Sequence, residues 1–146
     1  MQNNPLVSII MNCYNGQKYL NNALHSIINQ TYQNWELIFW DNQSKDKSKK
    51  IFFKYRDNRF KYYYAQSHET LYKSRNLALS VASGELISFL DVDDLLYPEK
   101  LEKQVNILKD LNIDLVYGNF KIKNLNFPFL SKISFKYNLP NGLITN

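Results

Sequence analysis

Glycine is scarce in this chain: only Gly16, Gly84, Gly118 and Gly142 occur in 146 residues. There is no Gly-x-Gly-x-x-Gly and no P-loop, so no glycine-rich turn cradles a phosphate with backbone N–H groups. Cysteine is scarcer still. The single Cys13 excludes an internal disulfide framework and suits a reducing compartment. No apolar run is long enough to span a membrane. The start, MQNNPLVSII, has neither a basic patch nor a long apolar stretch, so it does not read as a signal peptide. Acid is missing from the last part of the chain. All 13 acidic residues lie at or before Asp114, and only Lys121, Lys123, Lys132 and Lys136 carry charge after it. Those lysines account for most of the net charge of +5. They are too widely spaced for a nucleic-acid patch and read as a solvated face.

What is present is a globular composition, 45% hydrophobic and 15% aromatic, in a length that suits one domain. Apolar patterns alternate between strand and helix periods. PLVSIIMNC (5–13), WELIFW (35–40), RFKYYYA (59–65) and ELISFL (85–90) read as strands, the third nearer an edge because it is more polar. A fifth strand is expected at DLVYGNFKI (114–122). Leu20, Ala23, Leu24, Ile27 and Ile28 mark one face of a first helix. A short basic helix follows the second strand and ends near Tyr55. TLYKSRNLALSVAS (70–83) is a helix stopped by Gly84. Pro98 opens a last helix striped by Leu101, Val105, Leu108 and Leu111. Such alternation predicts an α/β sandwich with a mostly parallel sheet.

In parallel sheets ligands bind beyond the carboxyl ends of the strands. That rule selects Asn12–Asn15, Asp41–Ser44, Gln66–Glu69 and Asp91–Asp94. In ISFLDVDDLLYPEKLE (87–102) the last group sets three carboxylates at the end of an apolar strand. Acids this close repel, and without a cation at least one resists ionising. A hard divalent ion, Mg²⁺ or Mn²⁺, removes that cost, commonly with one or two carboxylates and substrate phosphates. Helix capping accounts for Asp94 but poorly for three acids.

Two other chemistries also use Asp-x-Asp. A calcium loop from Asp91 to Glu102 would put Leu96 at the obligatory glycine, which excludes it. Haloacid-dehalogenase-like phosphatases also carry Asp-x-Asp after a strand, but after the first one, whereas here it follows the fourth. That phosphatase is the runner-up among enzymes.

VSIIMNCYNGQKYLNNALHSIINQTYQNWELIFWDNQSKD, followed by KSRNLALSVASGELISFLDVDDLLYPEKLE, resembles the family 2 glycosyltransferases from about Val7 to Asn119. The resemblance implies a GT-A-like three-layer α/β/α sandwich with a Rossmann-like nucleotide-binding sheet. It implies a nucleotide-diphospho-sugar donor (UDP-, dTDP- or GDP-linked) and a glycan or lipid-linked acceptor. By position, MNCYN places Asn12 and Tyr14 beside the base, and DNQS places Asp41 and Asn42 on base and ribose. SRN carries Arg75, which reaches the nucleotide or is a surface arginine. DVD places Asp91 towards the ribose and Asp93, with Asp91, on the metal.

His25 reads as packing or surface, His68 as a solvated loop residue, Cys13 as a small buried residue, and Tyr62–Tyr64 as strand packing. Inverting transfer needs a general base. The resemblance places that acid after Asp-x-Asp, where this chain has no Asp, Glu or His beyond Asp114. The expectation is therefore a nucleotide-sugar-binding half over residues 1–122 and the basic start of an incomplete acceptor region over 123–146, in a C-terminally shortened chain. Such a chain transfers poorly alone, or serves as a non-catalytic nucleotide-binding module docking on a partner that supplies the missing half. By analogy it acts in polysaccharide, capsule or lipopolysaccharide assembly, in the cytoplasm, in peripheral contact with the inner face of the membrane.

Overall fold

The computed structural model describes residues 4–109, 113–118 and 143–144. The chain divides into two units, Met1–Glu102 and Lys103–Asn146. The expected boundary at 122/123 and the four tail lysines lie outside the described residues.

In the first unit, four strands form one parallel sheet: β1 (Val7–Cys13), β2 (Trp35–Asp41), β3 (Phe60–Tyr64) and β4 (Leu86–Phe89). Their order is β3-β2-β1-β4, so β3 is an edge strand as its polarity suggested. Helices α1 (Leu20–Ile28), α2 (Ser48–Phe52) and α3 (Leu71–Leu79) make the crossovers, and α4 (Lys100–Leu108) follows β4. β1 and β2 are buried almost throughout, because each has a strand on both sides and helices on both faces.

The two faces follow the period of two. Ile10 and Ile38 meet Ala78 of α3, with Trp40 and Tyr63 stacked beside them. On the opposite face Phe39 packs on Phe52 of α2 with ring centroids 4.7 Å apart. Tyr55, just beyond α2, donates to the Asn21 carbonyl of α1 at 3.1 Å, so α1 and α2 share that side. Helices on both sides of the sheet make the three-layer α/β/α sandwich.

Gly84 does not stop α3. The helix ends at Leu79, four residues earlier than the apolar pattern suggested, and Gly84 has no positive φ. A Cβ there would lie 2.6 Å from both Ser8 N and Ser8 Oγ. Glycine is needed so that the backbone can approach β1. Its N–H donates to Ser8 Oγ at 2.8 Å, and Ser8 Oγ donates to Glu36 Oε1 at 2.6 Å. Glu36 also accepts from Ser83 N and pairs with Lys61. Burial alone would raise the Glu36 carboxyl, but the bonds from Lys61, Ser8 and Ser83 outweigh it and hold the pKa below its ordinary value.

Helix α4 begins at Lys100, so Pro98 sits just before it. The chain ahead of α4 is tied to α1 through Gln30, a buried amide. Its Nε2 donates to the Tyr97 carbonyl at 2.8 Å, and its Oε1 accepts from Leu101 N at 3.2 Å. Of the expected stripe, Leu101 and Val105 are buried, Leu108 is half-buried, and Leu111 lies outside the described residues.

In the second unit, the expected fifth strand is only β5 (Leu115–Val116), antiparallel to β6 (Leu143–Ile144). These two strands form their own sheet and do not extend the parallel one. The expected segment ran on through Phe120 and Ile122 because apolar residues alternate there. Its residues 119–122 lie outside the described residues.

Candidate functional site

The four parallel strands all deliver their C-terminal loops to one edge. The chain winds from β1 outward to β3, then returns to place β4 on the other side of β1. The loops after β1 and β4 therefore leave the sheet at a topological switch point, the position where ligands bind in open parallel sheets. They touch there. A Cβ on Gly16 would lie 2.7 Å from Val92 Cγ2 and 2.8 Å from Cys13 Sγ, so only glycine lets the β1 loop approach the Asp91–Asp94 turn.

The loops after β1 and β2 are joined by reciprocal bonds. Asn15, at φ 54°, donates its N–H to Ser44 Oγ at 2.9 Å, and its Oδ1 accepts from Lys45 N at 2.8 Å. Asparagine tolerates this left-handed backbone better than most residues. Gln17 N donates to Asp46 Oδ2 at 2.8 Å, and Lys47 N returns a bond to Gln17 Oε1 at 3.0 Å. The Cys13 thiol is buried beneath them, and burial pushes its pKa up. It is a packing residue, as expected.

Asp41 closes β2 and is fully buried, with 0% exposure. Its Oδ1 accepts from Ser44 N at 2.7 Å and its Oδ2 from the Tyr62 hydroxyl at 2.6 Å. Burial, then the bond to Asp41, raise the Tyr62 phenol well above its ordinary value. Asn42 is engaged in the same way. Its Nδ2 donates to the Glu69 carbonyl at 2.7 Å and its Oδ1 accepts from Glu69 N at 2.9 Å, which ties the β2 loop to the β3 loop. The Asn42 carbonyl meets His68 Nδ1 at 2.9 Å. The His68 ring packs on Tyr14 with centroids 4.4 Å apart, and Tyr14 remains 51% exposed.

On the other side of the switch point, Arg75 of α3 pairs with Asp91 Oδ1 at 2.5 Å and lies over the Phe89 ring. Asp94 N donates to the Asp91 carbonyl at 3.0 Å, closing a tight turn that crowds three carboxylates. Asp94 shows the expected reluctance to ionise: partial burial, then the charges of Asp93 and Asp91, raise its pKa. It does not cap α4, which starts six residues later at Lys100.

Among the described residues no three His, Cys, Asp or Glu side chains converge as a metal site. The donor chemistry nevertheless fits a hard cation. Asp93 has no hydrogen-bond or ion-pair partner among the described residues, Asp91 is half exposed, and the crowded charge on Asp94 marks a turn that a cation would relieve. Two carboxylates do not complete a coordination shell, so such an ion would need the oxygens of a bound diphosphate.

The switch point thus gathers Tyr14, Asn42 and, beneath them, Asp41 on one side, and joins Arg75 to Asp91 beside Asp93 on the other. Asn12 sits on the face shared with Ile10, its amide buried without a partner among the described residues. Two contributors escaped the sequence reading. Tyr62 looked like strand packing, and its link to Asp41 depends on a register that periodicity does not fix. His68 is exposed, as expected, but its ring is also held by Asn42 and Tyr14. Its position among the polar residues after β3 was the available signal.

The sequence matches glycosyl transferase family 2 over residues 8–145. The chain belongs to this family. An uncharacterized glycosyltransferase of Haemophilus influenzae is 40% identical over 84% of this chain and 50% of its own length. The Escherichia coli UDP-Glc:alpha-D-GlcNAc-diphosphoundecaprenol beta-1,3-glucosyltransferase WfgD is 39% identical over 83% of this chain and 48% of its own. The chain thus spans about half the length of the curated relatives it matches. Among solved structures, Staphylococcus aureus TarS 1-349 in complex with UDP superposes with a TM-score of 0.67 and 26% identity, covering 82% of this chain and 42% of that one. The fold is therefore the GT-A-like one. Among the described residues no helix is long and apolar enough to cross a membrane.

Proposed function

We propose that this family 2 chain binds a nucleotide-diphospho-sugar at the switch point of its sheet and contributes to glycosyl transfer onto a glycan or lipid-linked acceptor. The observation that carries the reading is the Asp91–Asp94 turn, with Arg75 on Asp91 and Val92 against the β1 loop. A UDP-linked donor is the first choice, since WfgD is named for UDP-Glc and TarS was solved with UDP and with UDP-GlcNAc.

Tyr14 borders the base. Asp41 and Asn42 hold the loops that shape the base pocket and present their backbone to the nucleotide. Asp91 and Asp93 would hold Mg²⁺ or Mn²⁺. When bound, the ion supplies Lewis-acid neutralisation of the departing diphosphate. Arg75 exchanges Asp91 for a phosphate oxygen as the donor arrives, keeping positive charge beside the leaving group. Inverting transfer also needs a base for the acceptor hydroxyl. No Asp, Glu or His follows Asp114, so we assign donor binding to these residues and acceptor activation to a group outside them. The site of action is the cytoplasmic face of a membrane, where a lipid-linked acceptor is reached peripherally.

Calorimetry with UDP, GDP and dTDP, each with and without Mn²⁺, tests donor binding. Binding of at least one nucleotide, tightened by the ion, is expected. No binding by any of the three would overturn the reading. Efficient transfer to an acceptor by the purified 146-residue chain would overturn the assignment of acceptor activation to a group outside it. Family membership sets the phosphatase reading aside. Its remaining prediction, hydrolysis of a simple phosphomonoester, can be measured in the same preparation.

A further inference from the structure

Of the residues expected at the base, Asp41 and Asn42 already have their side chains engaged within the protein. Both Asp41 oxygens are engaged, by Ser44 N and the Tyr62 hydroxyl, and the residue is fully buried. Both ends of the Asn42 amide are engaged by the Glu69 backbone. The Gln43 amide nitrogen donates to the Ala65 and Gln66 carbonyls. His68 differs from Asp41 and Asn42.

A backbone carbonyl can only accept, so the 2.9 Å contact with Asn42 O puts a proton on His68 Nδ1. In the neutral ring Nε2 is then a bare acceptor. The ring is exposed, and its packing on Tyr14 at 4.4 Å and 58° leaves it little freedom to turn. Glu69, its neighbour in sequence, has its carboxylate engaged by Ser67 and Lys73. Nothing among the described residues donates to Nε2. An oriented acceptor beside an exposed aromatic ring matches the edge of a flat base that presents a ring N–H between two carbonyls.

We propose that His68 Nε2 is the specificity-determining acceptor for the nucleotide base, taking a hydrogen bond from an imide or lactam N–H. Uracil, thymine and guanine present such a group. Cytosine and adenine present a ring nitrogen that only accepts, which would face the Nε2 lone pair. This inference rests on the nucleotide-binding reading above, and it moves base recognition from Asp41 and Asn42 to His68.

Calorimetry with Mn²⁺ tests it using UDP, CDP and UDP methylated at N3. The wild-type chain should bind UDP about tenfold more tightly than the methylated analogue, the scale of one well-placed hydrogen bond. CDP should be weak as well. His68→Phe keeps a ring against Tyr14 without either nitrogen. It should bind UDP and the methylated analogue alike, with circular dichroism unchanged. A second measurement needs no variant. The His68 Nε2 resonance in nitrogen NMR should shift with UDP and stay in place with the methylated analogue. Equal wild-type affinity for the two ligands, discrimination kept in His68→Phe, or an unmoved Nε2 resonance at saturating UDP would each overturn the role of His68 and leave nucleotide binding standing. Failure of the wild-type chain to bind UDP, GDP or dTDP would overturn both.

Discussion

The Tyr62 hydroxyl donates a 2.6 Å hydrogen bond to Asp41 Oδ2, so the edge strand β3 holds the last carboxylate of β2 in place. Asp41 in turn accepts from Ser44 N and fixes the turn that carries Asn42 and Gln43. A buried carboxylate that loses a donor bears a desolvation cost without compensation. Tyr62→Phe should therefore destabilise the fold by about 1–3 kcal/mol in urea unfolding. The phenol pKa is raised in the folded chain, so its protonated form is favoured there. Its contribution is complete below the ordinary phenol value, near 10, and is lost as pH rises towards the folded value. Wild type should lose more stability than Tyr62→Phe above that pH. Equal losses would remove the Tyr62–Asp41 bond from the account.

Gly16 is a contact point between the two sides of the switch point. Gly16→Ala would drive a methyl into Val92 and Cys13, each under 3 Å away. Overpacking of this kind costs about 1–3 kcal/mol. Val92→Ala opens one side of the clash, so the double variant should recover part of the loss. Comparison of urea midpoints for the two single variants and the double one measures the coupling. Strictly additive effects would mean that the β1 loop and the Asp91–Asp94 turn do not touch in solution.

Glu36 links three strands and the entry to β4 through Ser8, Lys61, Ser83 and Gly84. Its folded pKa lies below the ordinary value near 4.5, so the ionised form is favoured in the folded chain. That stabilisation is complete above the ordinary value and disappears as pH falls through the folded one. Urea midpoints should drop on acidification through that window, and Glu36→Gln should show a smaller drop. An identical acid profile for the variant would mean that Glu36 is not held by this network.

Much of the fold was legible because β1, β2 and their helices are locally consistent. Apolar runs match buried strands, and Leu20, Ala23, Leu24 and Ile27 match the buried stripe of α1. The meeting of the strand-end loops was legible from position alone, since parallel strands send their loops to one edge. What escaped depends on non-local distances. Gly84 looked like a helix stop, because a sequence does not reveal that Ser8 lies where its side chain would go. Asp94 looked like a cap, because the Asp91–Asp94 turn and the stretch up to Lys100 were not separable by pattern. The anchoring of the exposed His68 ring was not legible because its partner, the Asn42 carbonyl, is a backbone atom on another strand's loop.

The central claim is that Asp93, with Asp91, holds a divalent cation against a nucleotide diphosphate. Calorimetry of UDP with and without Mn²⁺, on wild type and Asp93→Ala, tests it directly. Asp93 lacks a partner among the described residues, so its removal should leave the fold intact, which circular dichroism checks. Mn²⁺ should tighten UDP binding to wild type, and Asp93→Ala should bind UDP as weakly with the ion as without it. A variant that keeps the full Mn²⁺-dependent gain would contradict the claim.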